Sequence, residues 1–489
     1  MAQSTATPLP PASEPGLDNV MAHLREQLEE CCQQFRQAGP TPLTAHTLEQ
    51  QLKAVFAEAA RALLEQEFNR LEADDKSQAA PKVRYRRQTY RLNKKTKAQI
   101  ATSFGSITLW SFLYLNCEDG EPGLHPLHVS LGIVAGTATA ALAERVARWA
   151  VDCSQGEVRH WLQAEHGLRW SNDRLRCVLR AFRRLVVVFR EEAQQQRVLQ
   201  WLATADRSRG RHRPVLALGR DGVMVPLRGR GYREASTATV SVYDRRGKRL
   251  GTVYLGQMPE KHQVTLTETL TALALAVLKQ WSGPVPRLVY VTDKGKAQDN
   301  YYRRVLRRQR HPRHPGRQLA WEWVLDFFHV CGYVSKLREA LFKAGGQGWY
   351  KRMRHWLRHR DQGAAHLLRS AMQHYNRRKL SKAARRAFWK AYRYLRRYSR
   401  WMAYARYRRQ GLPIGSGVTE AACKTVFSQR LKRSGMRWNQ QSGQVIVDLR
   451  VLYLSGIWQD VVRKALQPRH LPKRVSPQYQ ARQNHSKAA

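Results

Sequence analysis

Between Val215 and Leu325 the chain changes its hydrophobic period in a fixed order, and that order leaves few folds open. Apolar runs at 215–227, 236–243 and 249–256 read as strands. Ala238, Val240 and Val242 alternate with small polar residues, and Asp244-Arg245-Arg246-Gly247 forms a hairpin turn. Leu266, Leu270, Leu273 and Val277 then recur at helical spacing, which predicts a helix over 264–281. A strand over 287–292, a helix over 298–309 and a strand over 319–325 follow, and the pattern beyond is helical, with a further helix from Val418 onward. Three acidic residues occupy related places in this order. Asp221 lies in the first strand, Asp293 closely follows the apolar run Leu288-Val289-Tyr290-Val291, and Glu420 lies in the late helix. Ligands of open α/β sheets gather at the carboxyl ends of strands, where Asp293 falls. Three carboxylates brought together there repel one another unless cations hold them. Hard oxygen donors suit Mg²⁺ or Mn²⁺, and two such ions suit phosphoryl transfer.

A three-strand meander followed by helix, strand, helix and strand is the order of an RNase H-like fold. The expected fold class is therefore α/β: an RNase H-like catalytic core with a helical insertion, preceded by a mostly helical N-terminal DNA-binding region. The segments GRDGVMVPLRGRGYREASTATVSVYDRRGKRLGTVYLGQMPE, LVYVTDKG, VLDFFHV and GLPIGSGVTEAACKTVFSQRLKRSGMRW resemble the bacterial insertion-sequence DDE transposases of the Kra group, relatives of the Mutator-like transposases. The resemblance runs from Thr102 to Trp458. It implies that Asp221, Asp293 and Glu420 are the catalytic acids and hold two Mg²⁺ or Mn²⁺ ions. It makes Asp326 and His329 a supporting pair, and it implies cleavage of DNA at element ends followed by strand transfer into target DNA. Many relatives carry a Cys-rich knuckle ahead of the catalytic domain. Here LNCEDGEPGLHPLH keeps only Cys117, which argues against a zinc site.

The charge points to the same partner. With 85 Lys plus Arg against 37 Asp plus Glu, the formal net charge is +48, and a polyanion follows from so one-sided a balance. No polybasic stretch adjoins a lipid-seeking helix, so nucleic acid is expected rather than membrane. The seven cysteines, at 31, 32, 117, 153, 177, 331 and 423, form no Cys-x-x-Cys pair, and MAQSTATPLPPASEPG has no secretory pattern. The expected compartment is the cytoplasm.

Taken in order, residues 1–16 are read as disordered, 17–80 as a helical region and 81–125 as a small strand-rich segment with a basic face. Residues 126–200 are read as a helix-turn-helix-like region, 210–333 as the first part of the core and 334–410 as a basic helical insertion. Residues 411–463 are the core's C-terminal helices, and 464–489 a basic disordered tail. The stripe Leu48, Leu52, Phe56, Ala59 and Leu63 suits either a second subunit or the helix's own chain; two DNA ends must be brought together, so a homo-oligomer is expected. Ser154 and Glu157 form a capping box, Gly167 ends that helix, and Ser171 caps a third. The third helix turns Leu175, Val178 and Leu179 inward and presents Arg174, Arg176 and Arg180 to DNA; the plainer alternative is a helical linker with solvated arginines. The aromatics of the insertion suit either a core or base stacking, with the surrounding arginines favouring DNA contact.

Arg430, Lys432 and Arg433 are expected on the Glu420 helix as phosphate clamps. A plain alternative for Glu420 is a surface pair with Lys424. Asp326 follows an apolar strand and is the alternative second acid. Its preferred role is a helix N-cap, with His329 one turn on, because Asp293 fits the strand order better. On that role alone Asp326→Asn retains much of the activity, since Asn caps a helix about as well as Asp. Two other functions remain open: a DNA-binding protein derived from a transposase but lacking cleavage, and an RNase H-like nuclease.

Overall fold

The computed structural model describes residues 17–117, 123–293, 295–467 and 470–475. The expected disordered N-terminus and most of the basic tail lie outside these residues. The chain is mixed α/β and divides into two units. One is built from the described residues up to Val186 with those from Val462, the other from Val187–Val461. Among the described residues no helix is long and apolar enough to cross a membrane.

The first unit opens with helices Leu17–Ala38 and Pro42–Arg70. The second opens at Pro42 because Thr41 and Thr44 form a reciprocal cap and Pro42 sits at the first helical position, where its missing N–H is no loss. The long helix lies along strand Gly105–Asn116, the edge of a small antiparallel sheet. Glu65 accepts from Thr108 N–H at 3.1 Å, Asn69 Oδ1 from Trp110 N–H at 2.8 Å, and Glu72 from Phe112 N–H at 3.1 Å. Helix side chains thus satisfy alternate N–H groups of an edge that would otherwise recruit another strand. Of the apolar stripe, only Phe56 is left exposed. The sheet's other strands are Lys82–Tyr85, Gln88–Thr102 and Lys473–Arg474. This last strand corrects the reading of 464–489 as a disordered tail. Helix Trp458–Leu466 runs into that stretch, and Lys473 and Arg474 pair with Arg84 and Val83, supplying partners to the otherwise open side of strand Lys82–Tyr85.

Helices Ala140–Asp152, Gln155–His166 and Asn172–Val187 complete this unit. The Ser154–Glu157 capping box is present, Gly167 adopts φ 64°, and Ser171 Oγ accepts from Arg174 N–H at 3.1 Å. Leu175, Val178 and Leu179 are buried. At the sheet's border His125 and His128 stack at 4.6 Å, each within hydrogen-bond reach of Ser111 Oγ. Burial, then the neighbouring His125, pushes His128 down to about 4. The unfolded imidazole takes up a proton near its ordinary value of 6.5, well before the folded one does. Stability that is full above pH 6.5 is therefore lost as pH falls toward 4. Wild type is expected to lose more melting temperature between pH 7 and pH 5 than His128→Gln, which keeps a hydrogen-bonding side chain but does not titrate; equal losses would refute this.

The second unit is organised by a five-stranded sheet. Its strands are β1 (Val215–Leu227), β2 (Gly231–Tyr243), β3 (Arg249–Gln257), β4 (Arg287–Thr292) and β5 (Trp321–Leu325), in the order β5-β4-β1-β2-β3. The first three run antiparallel as a meander, while β4 is parallel to β1 and β5 parallel to β4. Helices Val264–Gln280 and Lys296–Arg304 make the crossovers. Strand alternation sorts the core into two layers. Leu216, Leu218, Leu288, Tyr290 and Trp323 face helix Val264–Gln280, together with Val198 and Leu202 of helix Arg190–Arg207. Val215, Ala217, Val289, Val291 and Val324 face helix Phe327–Phe342 and the helices after it. The sequence reading places Arg190–Gln200 in the helix-turn-helix-like region and assigns the rest of this helix to no region; its apolar face belongs to this sheet.

Helices Gln347–His359, Gly363–Asn376 and Lys382–Tyr398 form the insertion. Trp349, Phe388, Tyr404 and Tyr407 are buried in its core, so these rings are not base-stacking platforms. The basic residues of helix Lys382–Tyr398, among them Arg386, Arg393 and Arg397, stay exposed.

Candidate active site

Asp221 shares a sheet face with Val215, Ala217 and Gly219, just beyond the last β1–β4 pair, Gly219 with Val291. Asp293 is the first residue after β4. Glu420 lies in helix Gly417–Ala422, which rests on the β1–β2 face. The seating is specific. Thr419 and Thr239 hydroxyls meet at 2.8 Å in the buried layer, and a Cβ on Gly219 would stand 1.9 Å from Thr419 Oγ1. Only glycine lets this helix approach so closely.

The electrostatics reflect the same convergence. Burial, followed by repulsion from Asp293 and Glu420, pushes the Asp221 carboxyl up to about 6, against a lowering by the Gly222 N–H, which Asp221 Oδ1 accepts at 2.7 Å. The Cys423 thiol, one turn past Glu420, donates to Asp221 Oδ2 at 3.3 Å. Burial and then Asp221, Asp293 and Glu420 raise that thiol, so it stays a neutral donor rather than a thiolate ligand. Asp293 Oδ1 is buried without a protein donor, while the Asp293 carbonyl accepts from Tyr394 O–H at 3.1 Å. Tyr394 is in turn stacked on Tyr333 at 3.8 Å, with the His329 ring alongside.

Asp221 and Asp293 open onto a cavity of about 790 Å³ that also takes in Arg220, Glu234 and Lys296. Glu420 is exposed and lies outside its lining. Among the described residues no three His, Cys, Asp or Glu side chains form a ready-made metal cage. The donor chemistry nevertheless fits hard divalent ions. The carboxylates repel one another, Asp293 offers an unpartnered oxygen, and the nearby sulfur stays protonated.

Asp326 is fully buried and its oxygens face protein donors. Oδ1 accepts His329 N–H at 2.5 Å, capping helix Phe327–Phe342, and Oδ2 accepts the Ser416 N–H. The Ser416 hydroxyl stands 2.9 Å from both Asp326 Oδ2 and Glu420 Oε1. Its single proton serves one carboxylate at a time, and it links the buried acid to the exposed one. Glu420 accepts from Ser416, and the alternative surface pair with Lys424 is not among the ion pairs of the described residues.

Two of the expected DNA-contacting arginines turn inward. Arg174 donates to Thr137 C=O at 3.0 Å and lies 5.1 Å from the Trp170 ring centre, and burial lowers its guanidinium from the usual range. It braces the helix rather than presenting itself to a groove. Arg176 is exposed enough to act but pairs with Asp173 at 2.9 Å, and Arg180 is exposed. Arg430 is 1% exposed and covers the Trp438 ring. The physical reason is a break in the helix: Cys423–Ser428 winds as a π-helix before Gln429–Leu431. Such a bulge shifts the register by about one residue, roughly 100° of rotation, and turns Arg430 inward. Lys432 and Arg433 remain exposed and line a recess beside the turn between β1 and β2.

Sequence reasoning did not single out Gly219, Thr419, Cys423 or Tyr394. Ser416 and Cys423 stand four before and three after Glu420, so helical spacing from the acid was the available signal. Compared with known proteins, no family model and no curated sequence matches this chain.

Proposed function

We propose that this chain is a DNA transposase of a bacterial insertion sequence, similar to the Kra-group DDE transposases, built on an RNase H-like core. The observation that carries the reading is that Asp221 of the first strand and Asp293 after its parallel neighbour open onto one cavity, with Glu420 on a late helix near enough to raise the Asp221 carboxyl. The strand order supports the RNase H-like assignment. The formal net charge of +48 supports a nucleic-acid substrate. Asp221 and Asp293, with Glu420, would hold Mg²⁺ or Mn²⁺. Two such ions, when bound, activate an attacking oxygen and stabilise a leaving one in phosphoryl transfer. The chain's own part is positional. The Thr239–Thr419 contact seats the Glu420 helix against β2, Cys423 fixes one oxygen of Asp221, and Tyr394 holds the backbone at Asp293. The strand attacked first by water and then the 3′ hydroxyl attacking target DNA would pass this carboxylate edge.

The test is incubation of purified protein with duplexes carrying the inverted repeats that flank its gene. Metal-dependent nicking at the repeat ends is expected, and salt should weaken duplex binding steeply. Six or more phosphate contacts imply a loss of about a thousandfold between roughly 50 and 200 mM. Binding insensitive to salt, or no cleavage of any repeat end with Mg²⁺ or Mn²⁺, would overturn the reading.

A further inference from the structure

A one-sided charge cluster outside the carboxylate site is the hairpin of the first unit. From Lys82 to Lys97 the chain holds eight Lys or Arg and no Asp or Glu. Strands Lys82–Tyr85 and Gln88–Thr102 are joined by two residues, Arg86 and Arg87, with Tyr85 paired to Gln88 across the turn. Both turn residues have positive φ, 49° and 71°. A two-residue turn of this kind favours Asn-Gly, since side chains beyond Asn and Asp are strained there. Two arginines in these positions are the wrong residues for the turn and well chosen for reaching outward. Arg86 and Arg87 are exposed, and the Arg86 guanidinium leans over the Tyr85 ring at 5.2 Å.

The strands repeat the pattern. Val83 and Tyr90 point into the small core, so Lys82, Arg84 and Arg91 share the outer face. On that face like charges stand directly opposite each other, Lys82 against Arg91 and Arg84 against Lys473. Such pairs weaken a sheet. Arg84, Arg86, Arg87 and Lys473, with His470 and Leu471, line an open recess of about 700 Å³. Turn strain and like-charge pairing both destabilise the isolated hairpin, and an anion with several spaced charges relieves the second.

We propose that this hairpin is a DNA-docking element, with Arg86 and Arg87 at its tip contacting the phosphates that border a groove of the duplex and Arg84, Arg91 and Lys473 following the backbone beside it. A two-stranded ribbon fits such a groove. The choice of DNA as the polyanion rests on the proposed function. The docking element shares no residue with the carboxylate site.

The experiment compares the full chain with Arg86→Asn/Arg87→Gly and with Arg86→Lys/Arg87→Lys, by fluorescence anisotropy on a labelled 20-base-pair duplex across a salt series. The Asn-Gly variant, which has the residues the turn favours, is expected to melt no lower than wild type. It should bind about tenfold more weakly at moderate salt, and the slope of log K against log salt should fall by about 1.8 for two lost phosphate contacts. The Lys-Lys variant should retain most of that slope. Wild-type affinity and slope in the folded Asn-Gly variant overturn the inference alone, as does a Lys-Lys variant whose slope falls as far. Wild-type protein that binds no duplex at all overturns the proposed function together with it.

Discussion

Replacing Asp221, Asp293 or Glu420 with alanine is expected to remove metal-dependent strand cleavage while duplex binding persists. The loss should exceed the roughly 10–100-fold that follows from disturbing a residue that only orients a ligand. Each substitution removes an oxygen donor and leaves the basic residues in place. Asp221→Asn separates chemistry from folding. In metal-free protein the Asp221 carboxyl is raised to about 6, above its ordinary value of 3.8, so the folded state holds a proton that the unfolded state has already released. Its stabilising effect is present below pH 3.8 and lost as pH rises through about 6, because the buried anion is then repelled by Asp293 and Glu420. At pH 7.5 without metal, Asp221→Asn should therefore melt no lower than wild type while being inactive. Cleavage assays on a labelled end duplex, paired with melting curves with and without Mg²⁺, test this. Full activity in all three alanine variants would sink the carboxylate mechanism, and inactivity accompanied by collapse of the fold would make the acids structural.

The sheet was legible because its central strands are buried on both faces and bounded by turn residues. Val215–Leu227 and Arg287–Thr292 match the expected spans. β2 begins at Gly231 rather than 236, because residues 231–234 are exposed on both faces, where no apolar alternation marks a strand. The short hairpin Arg310–His311 and His314–Gln318 was missed for a similar reason: its second strand is exposed throughout. The acids could be picked out because strand ends and a late helix are sequence-level positions. The arginines could not be sorted the same way. Whether Arg174 stacks on Trp170 or faces a groove depends on tertiary contacts, and Arg430 turns inward through a π-helix that 3.6-residue periodicity does not reveal. The pairing of Lys473–Arg474 with Lys82–Tyr85 joins segments nearly 400 residues apart. No local pattern encodes such a contact.

Asp326 gives the second large expected effect, and the structure reverses the simplest reading of the sequence. As an N-cap alone, Asn would serve about as well as Asp. Here both carboxylate oxygens accept backbone N–H groups, His329 on one and Ser416 on the other, and the Ser416 hydroxyl adds a third potential donor. An amide offers one acceptor oxygen and presents N–H₂ on its other side, so in either orientation one buried backbone N–H faces another donor. Leaving such a group unsatisfied costs about 1–3 kcal/mol. Because Ser416 also reaches Glu420 Oε1 at 2.9 Å, the disturbance passes to the third acid. Asp326→Asn is therefore expected to melt several degrees lower and to cleave about 10–100-fold more slowly, with the loss partly recovered at higher Mg²⁺ concentration. Ser416→Ala keeps the backbone N–H donor to Asp326 and removes only the hydroxyl bridge. It should melt close to wild type yet show the same raised Mg²⁺ requirement. Wild-type cleavage and Mg²⁺ dependence in both variants would confine Asp326 to capping its helix. A stable, inactive Asp326→Asn that no Mg²⁺ concentration rescues, with full activity in Asp293→Ala, would instead make Asp326 the second catalytic acid.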